Sequence, residues 1–455
     1  YDWGPLGVEL KKRVKDAWWG ALVYDRQDVV GLDSAIIQSP EVWRTSGHVG
    51  GFSDPLIDNK TSKQRYRADH LVETKIAKYE KKGKTQKAEA LLAKLNVAVG
   101  DNDVLRQLIL DEGIKCPVSG TDDWTDVRQF NLMFETHVGA MKDSASVAYL
   151  RPETAQGIFI NFNNVVESSR KKLPFGIAQI GKSFRNEITP GNFVFRTREF
   201  EQMEMEFFCH PAEAQTWYEF WQKERFQWYL KYGVDVEKLR MREHAADELA
   251  HYADACSDVE YLFPFGWSEL EGVANRTDYD LTKHSEASGK KLAWFDQEAG
   301  EWVTPYVIEP AAGCDRTAMT FLVDAYDEEG EGKNQRVVLR FHPQIAPITV
   351  AVFPLVKKEG MPEKAEEVEQ MLRPMFRTQI EYNQSIGRRY RRQDEIGTPF
   401  CITVDGETAT DASVTVRERD TMDQQRVAIV DLASFLQDKM STWQRFTPVE
   451  PEPES

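Results

Sequence analysis

The stretch from Gly181 to Phe207, GKSFRNEITPGNFVFRTREFEQMEMEF, contains the pattern on which the fold of this chain depends. Residues 178–188 favour an extended strand, and a cluster of turn-forming residues, Thr189-Pro190-Gly191-Asn192, follows directly. Over residues 193–208 apolar side chains alternate in places with charged ones, which is typical of a strand with one buried face. The stretch therefore predicts an antiparallel hairpin that carries many charged side chains.

The charged side chains of this hairpin fall into sets that share one face of a strand. Period-two spacing places Arg185 with Glu187, and Glu204 with Glu206. A cleft lined by these side chains would offer guanidinium groups for phosphate oxygens, and carboxylates for a metal ion or an ammonium group. A solvated hairpin held by salt bridges would use the same residues, so the pattern alone leaves both interpretations open.

The detailed spacing resembles a known enzyme family. Motif 2 of the class II aminoacyl-tRNA synthetases is similar to Phe184-Arg185-x-Glu187, a turn-forming loop and Arg196-x-x-x-Phe200-x-x-x-Glu204. Motif 3, as found in the dimeric type of glycyl-tRNA synthetase, resembles EPAAGCDR at residues 309–316. The resemblance extends over YDWGPLGVELK at 1–11, RPETAQGIF at 151–159, LEGVANRTDYDL at 270–281 and VTVRERDTMDQQRV at 414–427. It covers essentially the whole chain.

This resemblance implies an α/β (α+β) protein: a class II synthetase catalytic domain built on an antiparallel sheet flanked by helices, a helical insertion and a C-terminal α/β anticodon-binding domain. The residues fit this division, because residues 62–114 are lysine-rich with apolar side chains at helical spacing, and strand and helix patterns alternate after residue 347. We predict a catalytic domain over 1–60 and 116–342, an insertion over 61–115, an anticodon-binding domain over 348–446 and a disordered acidic tail over 447–455.

Two long helical segments are also predicted from composition and spacing. Residues 212–255 are rich in aromatic and charged side chains, and residues 363–382 follow the first strand of the C-terminal domain. The chain begins at Tyr1 rather than methionine. Because the family has a further N-terminal segment, we expect the N-terminal part of the catalytic domain to be incomplete.

Composition restricts the class of partner. No apolar run approaches the length of a membrane span, and no signal peptide opens the chain. The formal net charge of −17 argues against a nonspecific nucleic-acid coat, so a tRNA would need local basic patches. The densest patch predicts tRNA-binding residues: Arg388, Arg389, Arg391 and Arg392, with Tyr390 available for stacking.

The cysteines give no sign of a zinc site. Five cysteines are scattered without a CxxC pair, which suits a reducing, cytoplasmic location, and no structural zinc is expected. A group formed by His244, His251 and Cys256 lacks a convincing fourth ligand.

By resemblance, ATP and Mg²⁺ bind at motifs 2 and 3. Arg185 is implied to hold the α-phosphate and Arg316, with Arg196, the β/γ end, so Arg185 and Arg316 are the predicted catalytic residues. Glu187 is implied to contact adenine, and Glu269 to contact ATP through magnesium. The predicted ATP-binding set is completed by Asn186, Phe195, Phe200, Leu270 and Gly313.

The resemblance also implies a closed acidic pocket for the ammonium group of glycine. The predicted glycine-binding residues are Arg67, Glu153, Phe200, Glu201, Glu204, Glu309, Ala311 and Gly313. Ala311 departs from the family, which has serine there, so the sequence leaves the contribution of this position to glycine specificity open. A small pocket rejects larger amino acids by steric clash, so no editing domain is required.

The implied function is a homodimeric, cytoplasmic ligase that activates glycine with ATP and transfers it to the 3′ end of tRNA(Gly). Three alternatives stay open at this point. Another class II synthetase, for proline, threonine or serine, would share motif 2. A noncatalytic synthetase-like nucleic-acid-binding protein would keep the fold and lose Arg185 or Arg316. A P-loop ATPase would use residues 176–183, which match GxxxxGK[ST].

Overall fold

The structure, a computed structural model, describes residues 1–98, 100–140, 146–245, 248–249, 253–332 and 335–446. None of the helices in these residues combines the length and the apolar character that a membrane span requires. The predicted tail over 447–455 lies outside the described residues.

The helices are, in chain order, α1 (Pro5–Trp19), α2 (Pro40–Thr45), α3 (His48–Gly51), α4 (Ala68–Glu80), α5 (Thr85–Ala98), α6 (Asn102–Asp111), α7 (Ala155–Ile160), α8 (Phe162–Ser169), α9 (Ala214–Lys231), α10 (Tyr279–Ser288), α11 (Cys314–Ala325), α12 (Met361–Leu372), α13 (Ile386–Ile396), α14 (Thr408–Asp411) and α15 (Leu432–Ser441). The strands are β1 (Val29–Gly31), β2 (Ser53–Asp58), β3 (Arg65–Arg67), β4 (Arg128–Asn131), β5 (Phe134–His137), β6 (Val147–Leu150), β7 (Phe175–Phe184), β8 (Glu199–Cys209), β9 (Leu239–Glu243), β10 (Ala255–Phe263), β11 (Gly266–Thr277), β12 (Trp294–Asp296), β13 (Glu301–Val303), β14 (Tyr306–Gly313), β15 (Tyr326–Glu329), β16 (Arg336–Leu339), β17 (Val350–Pro354), β18 (Thr378–Ile380), β19 (Phe400–Val404), β20 (Ser413–Glu418) and β21 (Gln424–Ala428).

A mixed sheet with the strand order β1-β7-β8-β14-β11-β10-β9 supports the candidate site. Its neighbouring strands are antiparallel, except that β1 and β7 are parallel. β7 and β8 are the arms of the predicted hairpin and pair from Phe175↔Phe208 to Phe184↔Glu199, which confirms the hairpin. The second arm begins at Glu199 rather than near residue 193, because Phe193–Phe195 forms a 3₁₀ turn after Asn192, whose φ is +54°.

The sheet has two different faces. Met203, Met205 and Phe207 on β8 are fully buried in the main hydrophobic cluster, where the Phe207 ring lies 5.2 Å from that of Trp221 on α9. The alternate residues of β8 point to the opposite face, which carries carboxylates. One strand therefore builds the hydrophobic core and the polar site at the same time.

The candidate P-loop is part of this sheet. Residues 176–183 lie inside β7 and pair with β8 along their whole length. A phosphate-binding loop needs main-chain amides that are free to cradle an anion, and a following helix. The strand conformation of these residues rules out this alternative.

Two of the predicted helices are shorter in the structure. The prediction over residues 212–255 is correct for α9 and wrong after Lys231, because Gly233 with a φ of +88° follows the helix and the chain then enters β9 and β10. The prediction over residues 363–382 is wrong after Leu372, because Thr378–Ile380 pairs with β17 in a parallel ladder. In both places sheet pairing outweighs local helix propensity.

Two further hydrophobic clusters lie outside this sheet. One joins α4, α5 and α6 to the small sheet β3-β2-β4 through residues that include Leu71, Leu91 and Trp124. The other lies under the sheet β18-β17-β19-β20-β21, where Val352, Val368 and others pack together. The helical and the α/β segments expected from composition are both present.

Helix α1 is anchored to the central sheet by buried charges. Lys11 Nζ lies 2.6 Å from Asp315 Oδ1 and 2.7 Å from Glu201 Oε2, and its side chain is 6% exposed. Asp315 also accepts hydrogen bonds from Trp3 Nε1 at 2.9 Å and from the Glu201 main-chain N–H at 2.9 Å. The N-terminal helix, β8 and the start of α11 are therefore joined through one carboxylate.

Replacing Lys11 with methionine should destabilise the protein, because it leaves the buried carboxylate of Asp315 without its cation and Glu201 with Lys15 alone. We expect the free energy of unfolding, measured by urea denaturation, to fall by about 3 kcal/mol. Lys12→Met is the matched control, because Lys12 pairs with Asp16 on the exposed face of the same helix and should cost less than about 1 kcal/mol. Equal losses for the two variants would contradict the anchoring role of Lys11.

Candidate active site

A cavity of about 420 Å³ opens over the polar face of the central sheet. It is lined by residues from β8, β10, β11, β14, the loop between β7 and β8, and the start of α11, among them Glu153, Arg185, Glu187, Val194, Phe195, Arg196, Phe200, Gln202, Asp258, Glu269, Gly272, Ala274, Arg276, Glu309, Ala311, Gly313 and Arg316. Its size is in the range of small-molecule sites. Positive and negative side chains occupy different parts of its wall.

The register of the central sheet determines which side chains form the floor of the cavity, with carboxylates on one side and very small residues on the other. Gln179 pairs with Glu204, Glu204 with Ala311, and Ala311 with Gly272, so these four residues form one row across four strands. The row brings a large carboxylate beside two positions with almost no side chain. A Cβ at Gly272 would have one neighbour within 4 Å, Asp258 Oδ1 at 3.8 Å, so no side chain covers that side of the row.

Glu204 is held from below by donors on two elements. Its Oε2 accepts a hydrogen bond from the Thr154 main-chain N–H at 3.0 Å and another from the Thr154 hydroxyl. Its Oε1 accepts from Gln202 Nε2 at 3.1 Å, and the Gln202 Oε1 in turn accepts from Ser183 at 2.8 Å. Glu204 is 2% exposed, so its carboxylate is fixed in position.

Glu309 lies on the next row and is held by Arg276. The Arg276 Nη1 donates to Glu309 Oε2 at 2.7 Å, while Nε and Nη2 donate to the Asp280 carboxylate at 2.9 and 3.0 Å. Gln156 Nε2 bridges Asp280 Oδ1 and Glu153 Oε1, both at 2.9 Å. A continuous network therefore connects Glu309 to Glu153 through one buried guanidinium.

Burial and mutual repulsion set the proton affinity of these carboxylates. Burial, together with the nearby charges of Glu309 and Glu153, raises the pKa of Glu204 to about 8. Burial also raises the pKa of Glu309, although Arg276 acts in the opposite direction. Burial opposes the ionised form of Glu153 too, but His48, whose Nε2 lies 3.5 Å away, acts together with Arg276 and Gln156 to hold the pKa of Glu153 below its usual range. The pocket carries more acidic groups than cations, so it favours a cationic ligand.

The wall of the cavity also presents guanidinium groups. The guanidinium of Arg185 lies 5.4 Å from the ring centroid of Phe200, and its Nε donates to the Pro152 carbonyl at 3.1 Å. The guanidinium of Arg316 lies 4.0 Å from the ring centroid of Phe195, and its Nη1 donates to the main-chain carbonyl of Glu269 at 2.8 Å. Arg316 Nη2 also donates to the Phe195 carbonyl at 3.5 Å. Each arginine is thus supported by an aromatic ring and main-chain oxygens, which leaves other N–H groups for an anionic ligand.

Glu269 and Glu187 lie beside arginines in this wall of the cavity. Glu269 Oε2 is 3.4 Å from Arg316 Nη1, and the Arg316 charge lowers the pKa of Glu269. Glu187 Oε2 is 4.0 Å from Arg196 Nη1. Both carboxylates therefore face cations, in contrast to those on the floor.

The structure brings most of the predicted site residues together. Eleven of them line the cavity, namely Glu153, Arg185, Glu187, Phe195, Arg196, Phe200, Glu269, Glu309, Ala311, Gly313 and Arg316. Glu204 lies in the floor beneath them, with its carboxylate hydrogen-bonded to Thr154.

Four predicted residues lie elsewhere. Glu201 is three residues before Glu204 on β8, so its side chain points to the opposite face of the sheet, where it pairs with Lys11 and Lys15. Leu270 is 1% exposed and belongs to the main hydrophobic cluster, again on the other face. Arg67 pairs with Asp54 at 3.2 Å and Asp69. Asn186 donates its main-chain N–H to the Leu132 carbonyl at 2.8 Å.

Sequence reasoning missed several residues of the floor. Arg276, Thr154, Gln156 and Asp280 were not predicted, although all lie in the two segments that carry the family resemblance, residues 151–159 and 270–281. The one sequence feature that could have indicated this network is Arg276, a single arginine in an otherwise largely apolar strand pattern. Its partners come from a separate helix and loop, which spacing does not reveal.

The predicted tRNA-binding arginines lie on helix α13. Arg388, Arg391 and Arg392 are exposed, whereas Arg389 is 3% exposed and donates to the Pro354 and Glu381 carbonyls at 2.7 and 3.2 Å. The hydroxyl of Tyr390 is bonded to Thr403 at 2.6 Å. Helical periodicity explains the difference, because Arg389 faces the sheet while its neighbours face solvent.

Of the possible metal ligands His244, His251 and Cys256, His251 lies outside the described residues. His244 and Cys256 lie near Asp258 at the rim of the cavity, with His244 Nε2 2.8 Å from Asp258 Oδ2. Arg242 Nη2 is 3.4 Å from the same histidine nitrogen. The positive charge of Arg242 disfavours a cation between these groups.

Comparison with protein families covers almost the whole chain. The family described as "tRNA synthetase class II core domain (G, H, P, S and T)" matches residues 137–326. "Glycyl-tRNA synthetase insertion domain 1" matches residues 54–94 and 82–132, and "Anticodon binding domain" matches residues 349–439.

Curated relatives agree with these matches. A "Glycine--tRNA ligase" of Staphylococcus saprophyticus is 54% identical over 442 residues, which cover 97% of this chain and 93% of the relative. Proteins of the same name from Clostridium acetobutylicum and Chlorobaculum tepidum are 54% and 51% identical, over 97% of this chain and 93% and 94% of theirs. With its fold, its acidic pocket and these matches, the chain belongs to the glycine–tRNA ligase family of class II aminoacyl-tRNA synthetases.

Proposed function

We propose that this chain is a glycine–tRNA ligase: it activates glycine with ATP to give glycyl-adenylate and pyrophosphate, and then transfers glycine to the 3′ end of tRNA(Gly). One observation carries the site assignment. Buried carboxylates converge on a small cavity whose lining includes glycine and alanine, and two arginines supported by aromatic rings line the same cavity. An ammonium group and a phosphate therefore have complementary partners within one cavity.

The acidic end would bind the amino acid. Glu153, Glu204 and Glu309 surround the position of a single ammonium group, which supplies the positive charge that the floor lacks. Ala311 and Gly272 leave room for a substrate without a side chain. A larger amino acid would clash with Ala311 or displace the fixed carboxylate of Glu204.

The cationic end would bind ATP. In the first step an oxygen of the glycine carboxylate attacks the α-phosphorus, the bond to the β-phosphate bridging oxygen breaks, and pyrophosphate leaves with that electron pair. Two anions must approach each other, so positioning and charge neutralisation account for most of the catalysis. Arg185 would hold the α-phosphate, Arg316 and Arg196 the β/γ end, and Glu187 and Phe200 the adenine.

Magnesium fits the carboxylate of Glu269. Its position beside Arg316 keeps it ionised at neutral pH and places it at the phosphate end of the cavity. Glu269 would hold the ion, which supplies further neutralisation of phosphate charge when bound. The steps above depend on the arginines of this chain and do not require Glu269 to react.

The rest of the chain would serve the transfer step. We assign the catalytic domain to residues 1–60 and 116–342, the insertion to 61–115 and the anticodon-binding domain to 348–446. The exposed Arg388, Arg391 and Arg392 would contact tRNA phosphates. The working form would be a homodimer in the cytoplasm.

Arg185→Ala is expected to reduce glycine-dependent ATP–pyrophosphate exchange by about 100-fold or more, because it removes the cation that stabilises the transferring phosphate. Lys182→Ala is the matched control. Lys182 pairs with Glu199 on the exposed part of the hairpin, so exchange should stay within about twofold of wild type. Loss of exchange in Lys182→Ala with full activity in Arg185→Ala would reverse the assignment.

Glycine binding should strengthen as pH rises. With its pKa at about 8, Glu204 is mostly protonated at pH 6 in the empty pocket and becomes ionised toward pH 8, while the glycine ammonium group stays charged. We expect the KM for glycine in the exchange reaction to fall severalfold between about pH 6 and pH 8. The KM for ATP serves as the control and should change much less. A glycine KM that is constant or rises over this range would contradict the raised pKa.

Alanine substitutions at Arg388, Arg391 or Arg392 should weaken tRNA binding without affecting adenylation. Each is expected to raise the KM for tRNA and to reduce the slope of log affinity against log salt by about one. Arg373→Ala is the control, because Arg373 is an exposed arginine beside α12 that pairs with Glu369. An unchanged tRNA KM in all three variants would place the tRNA on another surface.

A further inference from the structure

Glu206 is a carboxylate of the floor to which the proposed reaction gives no role. Its side chain is completely buried, and among the described residues no hydrogen-bond donor reaches either of its carboxylate oxygens. A buried carboxylate that is ionised and unpaired is strongly disfavoured. The state of this side chain therefore needs a physical explanation.

The neighbours of Glu206 are acidic or apolar. Phe207 pairs with Ile308, which places Glu206 beside Glu309 on the next strand, and Ile177 is its partner on the other side. One oxygen each from Glu204, Glu206 and Glu309 lie within 4.8 Å of one another. Three carboxylates at this separation cannot all be ionised in a buried site.

The nearest cation is already engaged. Arg276 donates to Glu309 and, with two N–H groups, to Asp280. Its charge acts against protonation of Glu206, but burial and Glu309 outweigh it and raise the pKa of Glu206 well above the ordinary value. The floor as a whole contains five carboxyl groups, those of Glu153, Glu204, Glu206, Glu309 and Asp280. The cations beside them are fewer: Arg276, His48 next to Glu153, and the buried Arg151, whose charge acts on Glu204.

A proton on Glu206 resolves both problems. It removes the charge that would repel Glu309, and it turns two facing acceptors into a donor and an acceptor. We propose that Glu206 is a protonated positioning residue whose carboxylic O–H donates a hydrogen bond to Glu309 and so fixes Glu309 as the anion for the substrate ammonium group. This inference rests on the proposed function for its link to glycine.

Two variants of Glu206 distinguish a neutral hydrogen-bond donor from a residue that contributes negative charge to the pocket. Glu206→Gln keeps the shape and a neutral N–H donor, so the KM for glycine should stay within about threefold of wild type. Glu206→Leu removes the donor and should raise the glycine KM by about tenfold with little change in the KM for ATP. Glu309→Gln removes an anion that contacts the substrate and should have a much larger effect on glycine than Glu206→Gln.

An infrared measurement tests the protonation state without relying on activity. At pH 7 the spectrum of the wild-type chain should contain the carbonyl stretch of protonated carboxylic acids, shifted in deuterated water, and this band should lose the contribution of one carboxyl group in Glu206→Gln, while that of Glu204 remains. Absence of that difference would overturn the proposal, as would a rise in glycine KM in Glu206→Gln equal to that in Glu309→Gln. If wild type shows no glycine-dependent exchange, the proposed function fails and the link to glycine is overturned, while the infrared band still decides whether Glu206 carries a proton.

Discussion

The pairing of Arg276 with Glu309 and Asp280 is the interaction on which the active site depends. It places one buried guanidinium among several buried carboxylates, and it connects β11, β14 and α10. Such a floor is costly to fold, because its buried carboxyl groups outnumber the cations beside them and must either stay unpaired or take up protons. The same excess makes the pocket favourable for a substrate ammonium group, so the cost in stability and the selectivity for a cation have one origin.

The sheet register turns this charge distribution into a shape. Across β8, β14 and β11 the position of Glu204 is followed by Ala311 and Gly272, so a fixed carboxylate faces a wall without side chains. The methyl side chain of Ala311 keeps this part of the row small. The opposite face of β8 leaves no space for a ligand, since Met203 and Met205 are completely buried in the core.

Local patterns predicted the hairpin, the acidic face and the helical and α/β segments, because period-two and helical spacing are properties of neighbouring residues. The errors came from interactions between distant residues. Glu201 was assigned to the pocket although its odd parity with Glu204 places it on the other face, where it pairs with Lys11. Arg276 was missed because its role in the floor depends on its ion pairs with Asp280 and Glu309, which lie on a different helix and a different strand. Arg389 was counted with a basic run, but tertiary packing buries it.

The most direct test of this account is the amino-acid specificity of ATP–pyrophosphate exchange by the unmodified chain, with glycine, alanine, serine and proline compared side by side. We expect exchange with glycine at a kcat/KM at least about 100-fold above that of alanine, because the added methyl group would clash with Ala311 or displace the fixed carboxylate of Glu204. Comparable exchange with alanine or serine would contradict the proposed pocket, even if ATP binds as described.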